Sequence, residues 1–125
     1  MAKIARLSVD EPVNIDMNRL EEIVSELGET NASDVIGAAL EQLALALDRT
    51  LTAIKRGELA RAVTHAERLS RLSWQVGLVT LAAVAVDVGR CAEQRDLGAL
   101  AATGARLNRI GNRSLTEIWD PPRKE

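Results

Sequence analysis

Apolar residues recur along most of this chain at spacings of three and four, the pattern of helices that each bury one face. Asp16 is placed to cap a first helix over Met17 to Leu27, where Leu20, Ile23, Val24 and Leu27 share a face and Gly28 supplies the stop. Asn31 or Ser33 opens a long second helix with the stripe Val35, Ile36, Ala39, Leu40, Leu43, Leu47, Leu51 and Ile54. Lys55, Arg56 and Gly57 close it, with cations in the last turn and then glycine. A third helix is predicted from Glu58 to about Trp74, with Leu59, Val63, Ala66, Leu69, Leu72 and Ser73 inward. Gly77 marks a break, and a fourth helix follows from Leu78 to about Glu93 on Leu78, Leu81, Val84, Ala85 and Val88. After a short turn at Arg95-Asp96, a fifth runs from Leu97 to about Trp119 on Leu100, Leu107, Ile110, Leu115 and Ile118. Gly104 and Gly111 lie seven apart on it and read as a tight helix–helix contact.

The first 15 residues have no clear period and read as an N-terminal arm laid extended on the rest. Residues 16–120 form one helical bundle, Asp120-Pro121-Pro122 ends the last helix, and residues 121–125 are a polar tail. Turns this short between helices of this length make neighbours antiparallel. The fold class is therefore all-α: an up-down antiparallel four-helix bundle with an additional N-terminal helix. Composition agrees, because aromatics make up 2% of a chain that is 46% hydrophobic, too few for a β-sandwich.

Charge and chemistry exclude more than they suggest. A formal net charge of −2 supplies no global field toward nucleic acid or anionic lipid, so neither is expected as a partner. The start of the chain lacks the apolar run of a signal peptide, and Val76 to Val86 is about half of what spans a bilayer, so a cytoplasmic location is expected. The single cysteine, Cys91, and the single histidine, His65, rule out a cysteine- or histidine-rich metal site, and no phosphate-cradling glycine loop occurs. The expectation is a protein that is not an enzyme and has neither cofactor nor metal.

The stretch from Ala60 to Val88 carries a resemblance. Ala66, Leu69, Ser73, Gly77 and Leu81 reproduce the spacing of the histidine phosphotransfer (HPt) motif, Ala-His-x-Leu-Lys-Gly-x-Ser/Ala with a later glycine and leucine. The chain resembles that family over roughly residues 16 to 118, which implies a bundle of HPt type. At the phosphoacceptor position stands Glu67; Ser70 replaces the family's lysine and Arg71 its glycine. The resemblance thus implies a degenerate, pseudo-phosphotransfer member of a two-component phosphorelay, binding a response-regulator receiver domain or a histidine kinase without carrying phosphate. Glu67, Arg68, Ser70, Arg71 and Trp74 would then lie near the centre of the contact.

Each of these residues has a plainer reading. Glu67 pairs with Arg71 one turn on, or supplies fixed negative charge where a phosphoryl group would otherwise stand. Arg56, Arg61, Arg68 and Arg71 are a solvated face, or steer the bundle to an acidic receiver pocket. Trp74 fills the core edge near Gly77, or anchors a partner. His65 stands about 200° round the helix from Glu67, so it is a half-exposed residue beside the core or an alternative phosphoacceptor. Two further functions therefore stay open: a structural or self-associating helical bundle unrelated to phosphorelay, including a homodimer, and an active phosphotransfer protein using His65.

Overall fold

The computed structural model describes residues 11–119, Trp119 by its backbone alone. Five helices carry nearly all of the described chain: α1 Met17–Leu27, α2 Glu29–Lys55, α3 Leu59–Gln75, α4 Val79–Glu93 and α5 Leu97–Trp119. No strand forms among the described residues; a single bridge pairs Ile15 with Leu78. The chain is an all-helical bundle. α2 packs on α3, α3 on α4, α4 on α5 and α5 back on α2, while α1 packs on α2.

Asp16 caps α1 as its position suggests, its side chain accepting from the backbone N–H of Asn18 at 3.1 Å and of Arg19 at 3.4 Å. α2 starts at Glu29, earlier than the expected Asn31 or Ser33. Gly28 alone separates the two helices, returning its N–H to Val24 at 2.8 Å, and Glu29 brings a carboxylate to the positive end of the new helix. Asn31 instead donates its side-chain amide back to the Leu27 carbonyl at 3.2 Å. The next three turns close alike. The N–H of Glu58, Leu78 and Asp96 reaches back five residues to Ala53, Ser73 and Cys91, at 2.9, 2.9 and 3.1 Å. This is the Schellman closure, with Gly57, Gly77 and Arg95 in the left-handed conformation it needs.

Leu43, Leu69, Leu81, Val88 and Leu107 are fully enclosed at the centre of the core. Alanine does more of the packing than the apolar stripe suggests: Ala46, Ala53, Ala62, Ala66, Ala85 and Ala92 are all buried, letting the helix backbones approach closely. Ser73 and Thr50, both enclosed, donate to carbonyls four residues back at 2.7 Å and so cost no unpaired hydroxyl. At the other end of α2 the expectation fails in part, for Val35 is 49% exposed and Val24 and Leu27 of α1 are also exposed. α2 is about 15 Å longer than α3. Its first turns are covered by α1 and the end of α5, which leave an apolar groove lined by Leu20, Ala32, Ile36 and Ile118.

The part of the arm that is described, residues 11–15, lies extended on the bundle together with the cap residue Asp16, with Val13 and Ile15 packed against the core. Its polar groups are tied down at both ends. Asp16 N–H donates to the Gly77 carbonyl at 2.7 Å and Asn14 N–H to the Thr80 hydroxyl at 2.8 Å. Glu11 receives Arg106 through Nε at 3.0 Å and Nη2 at 2.6 Å, and its carbonyl accepts from Arg113 at 2.8 Å. The rest of the arm and the polar tail fall outside the described residues, as does the side chain of Trp119.

The Arg106 guanidinium holds the Glu11 carboxyl below the usual glutamate range, more than its partial burial raises it, and Arg106 is raised in turn. A lowered carboxylate contributes stability above its unfolded pKa and loses it as pH falls through its folded value. Glu11→Gln is therefore expected to destabilise at neutral pH, with the difference from wild type closing as pH falls below the ordinary glutamate range. Urea midpoints measured at a series of pH values check this, and a gap independent of pH would show that the ion pair is not its source.

Candidate docking site

A helix sorts the HPt-like motif into two faces. Ala66, Leu69, Ser73 and Leu81 are enclosed and Gly77 is buried, so the matching positions are those that build the core. Positions 67, 70, 71 and 74 fall at successive turns of the outer face, where α3 meets α4. There the two helices leave a groove of about 340 Å³ lined by Val63, Glu67, Ser70 and Arg71 on α3 and Val86, Gly89, Arg90 and Glu93 on α4. It runs on through Ser70 and Val86 into a second hollow of about 280 Å³, floored by Ala82 and walled by Trp74, Val79 and Ala83.

The groove is charged at one end and apolar at the other. Glu67 accepts from Arg71 at 2.7 Å, so the two charged side chains that α3 brings to this groove are tied to each other. Both are well exposed, which places the pair among surface ion pairs contributing about 0.2–1 kcal/mol. Arg90 and Asp87 form a looser pair at 3.6 Å on the facing helix. Trp74 is 62% exposed, so it does not fill the core edge near Gly77. That space is taken instead by Asp16 and Arg19 of the crossing arm and α1. Trp74 and the 46% exposed Val86 present apolar surface at the open end of the groove.

Four of the five expected contact residues are thus brought together: Glu67, Ser70, Arg71 and Trp74. Arg68 is not. It lies about 100° round the helix from Glu67 and reaches over α2, where it donates to the Gln42 side-chain oxygen at 3.3 Å. His65 is placed on that flank as well, in a groove with Arg49 and Thr52 of α2, Arg56 at its C-terminal cap and Arg61 of α3. The α4 wall escaped the sequence reading. Its one signal was Val86, an aliphatic residue off the buried stripe of Leu81, Val84, Ala85 and Val88.

Among the described residues no set of three or more histidine, cysteine, aspartate or glutamate side chains gathers as metal ligands, and no helix is long and apolar enough to cross a membrane. Cys91 is half-buried against the Thr103 hydroxyl at 3.7 Å. Compared with protein-family models, curated proteins and solved structures, the chain matches none.

Proposed function

We propose that this protein is an HPt-like up-down four-helix bundle, α2 to α5 with α1 added, that binds a receiver domain or histidine kinase without carrying phosphate. The observation that carries the reading is the division of the motif: its apolar positions are buried, while its three altered polar positions share one exposed groove. The ring of contacts from α2 through α3 and α4 to α5 and back agrees with such a bundle. On this reading the Glu67–Arg71 pair occupies the place of the phosphoryl chemistry, and Trp74 with Val86 supplies the apolar part of the contact. The protein acts by occupying its partner's docking face, as a competitor or scaffold.

Calorimetric titration with purified receiver domains and kinase catalytic parts tests the proposal, alongside transfer of radiolabelled phosphate from the same partners. Binding without label is expected. Arg71→Glu, which places two carboxylates side by side in the groove, is expected to weaken it by about tenfold, roughly 1.4 kcal/mol. Arg68→Glu, outside the groove, should change it much less. Label on His65 would replace this reading with that of an active phosphotransfer protein. A second reading, self-association, is favoured by the exposure of Trp74 and Val86 together. A concentration-dependent mass that Trp74→Ala abolishes, with no binding to any receiver, would select it.

A further inference from the structure

Eleven arginines lie in the described chain, and six of them have an ion-pair or hydrogen-bond partner: Arg19, Arg68, Arg71, Arg90, Arg106 and Arg113. Among the described residues, three of the remaining five line one groove between α2 and α3, away from the proposed docking face. Arg49 and Thr52 on α2 and Arg56, the residue that caps its C-terminus, stand at successive turns of one stripe. Arg61 and His65, four apart on α3, face them across a hollow of about 230 Å³. Two helices thus hold three unengaged guanidiniums, a hydroxyl and an imidazole around one opening. Asp48 and Glu58 line the same groove, yet neither is within ion-pair distance of these arginines. Three arginines against Asp48 and Glu58 leave the lining an excess of one positive charge.

We infer that this groove is a binding site for a phosphate-bearing anion, a phosphate monoester or diphosphate. The ligand class follows from the donors. Planar guanidiniums offered from two helices suit a tetrahedral group whose several oxygens can each accept a charge-assisted bond, whereas a lone carboxylate is satisfied by a single fork. Thr52 and His65 add a hydroxyl and a ring N–H donor between the charges. Asp48 and Glu58 oppose the anion and keep the affinity modest. The site needs no chemistry from His65 and is independent of whether the α3–α4 face binds a receiver.

The probes are inorganic phosphate and pyrophosphate, titrated at low ionic strength into the full chain and followed by NMR of the arginine Nε–H and imidazole signals. Saturable shifts of Arg49, Arg56, Arg61 and His65 are expected, stronger with pyrophosphate and reduced by added chloride salt. Arg61→Gln is expected to weaken binding by about fourfold and the double variant Arg56→Gln/Arg61→Gln by about tenfold or more. Arg71→Gln, on the other face of α3, should leave it unchanged. Asp48→Asn should tighten it, a gain that damage to the fold cannot mimic. The inference is overturned by an absence of shifts, by equal shifts at Arg71 and Arg90, or by an Asp48→Asn variant that binds no tighter.

Discussion

Gly77→Val is expected to lower the stability of the bundle by about 3 kcal/mol, a fall in melting temperature of about 10 °C. Two separable costs make up this figure. Gly77 has φ +80°, and an L-residue held there costs about 1–2 kcal/mol, with β-branched valine at the upper end. The second cost is local. A Cβ on Gly77 would stand 2.7 Å from the Asp16 carbonyl oxygen and 3.3 Å from the Cβ atoms of Asp16 and Arg19, and the first of these is backbone that cannot swing aside. Relieving that overlap means lifting the arm, with loss of the 2.7 Å bond from Asp16 N–H to the Gly77 carbonyl and of the 2.9 Å bond from Arg19 Nε to the Gln75 carbonyl. Gly57→Ala separates the terms. Gly57 has φ +71° but open space where its Cβ would stand, so it carries the backbone cost alone, about 1 kcal/mol. Chemical denaturation of Gly77→Val, Gly77→Ala and Gly57→Ala gives the comparison. If Gly77→Ala loses no more than Gly57→Ala, the crossing of the arm over this turn contributes nothing to the fold.

The same turn shows what could be read from the sequence and what could not. Gly57 and Gly77 are visible as breaks because glycine is the residue a left-handed closure favours. Arg95 makes the same closure at φ +57° with no glycine to announce it, so only a short turn near Asp96 was legible there. The close approach of Asp16 to Gly77 joins residues 61 positions apart, and no local pattern encodes such a meeting. Helix period likewise located Leu43, Leu69 and Leu107, but it counted Val35 among them. Periodicity tells which face of a helix is apolar and not how far the neighbouring helices extend along it. The reach of α2 beyond α3 is a property of the assembly.

At the candidate docking site the split is similar. A rotation of 100° per residue puts Glu67, Ser70, Arg71 and Trp74 on one side of α3, and that much is arithmetic on the sequence. The same arithmetic places Arg68 about 100° away from Glu67, although the resemblance implies it near the same contact. What α3 faces depends on packing. The groove exists because α4 presents Val86, Gly89 and Arg90 opposite this stripe, and Trp74 stays exposed because the arm already fills the space by Gly77.

Gly111 and Gly104, alike in sequence, are expected to part sharply on substitution. A Cβ on Gly111 would lie 2.5 Å from Leu47 Cδ2 and 2.9 Å from its Cδ1, and Leu47 is 5% exposed, enclosed by the core with little freedom to yield. Gly111→Val should therefore cost about 3 kcal/mol through overpacking, even though leaving glycine favours the helix by a few tenths of a kcal/mol. A Cβ on Gly104 meets only Ile54 Cδ1 at 3.2 Å and Cγ2 at 3.6 Å, and Ile54 is partly exposed and can shift. There the helix gain of up to ~1 kcal/mol offsets the squeeze, and Gly104→Ala should stay within about 1 kcal/mol of wild type. Since Leu47 is the obstacle, Leu47→Ala should relieve Gly111→Val. Leu47→Ala alone opens a core cavity and costs about 2–5 kcal/mol, but the valine methyls partly fill that space in the double variant. The two losses should then fall short of additive by at least about 1 kcal/mol in urea denaturation. Strict additivity would mean that α5 is not seated on Leu47, and the contact that closes the ring from α5 back to α2 would have to be redrawn.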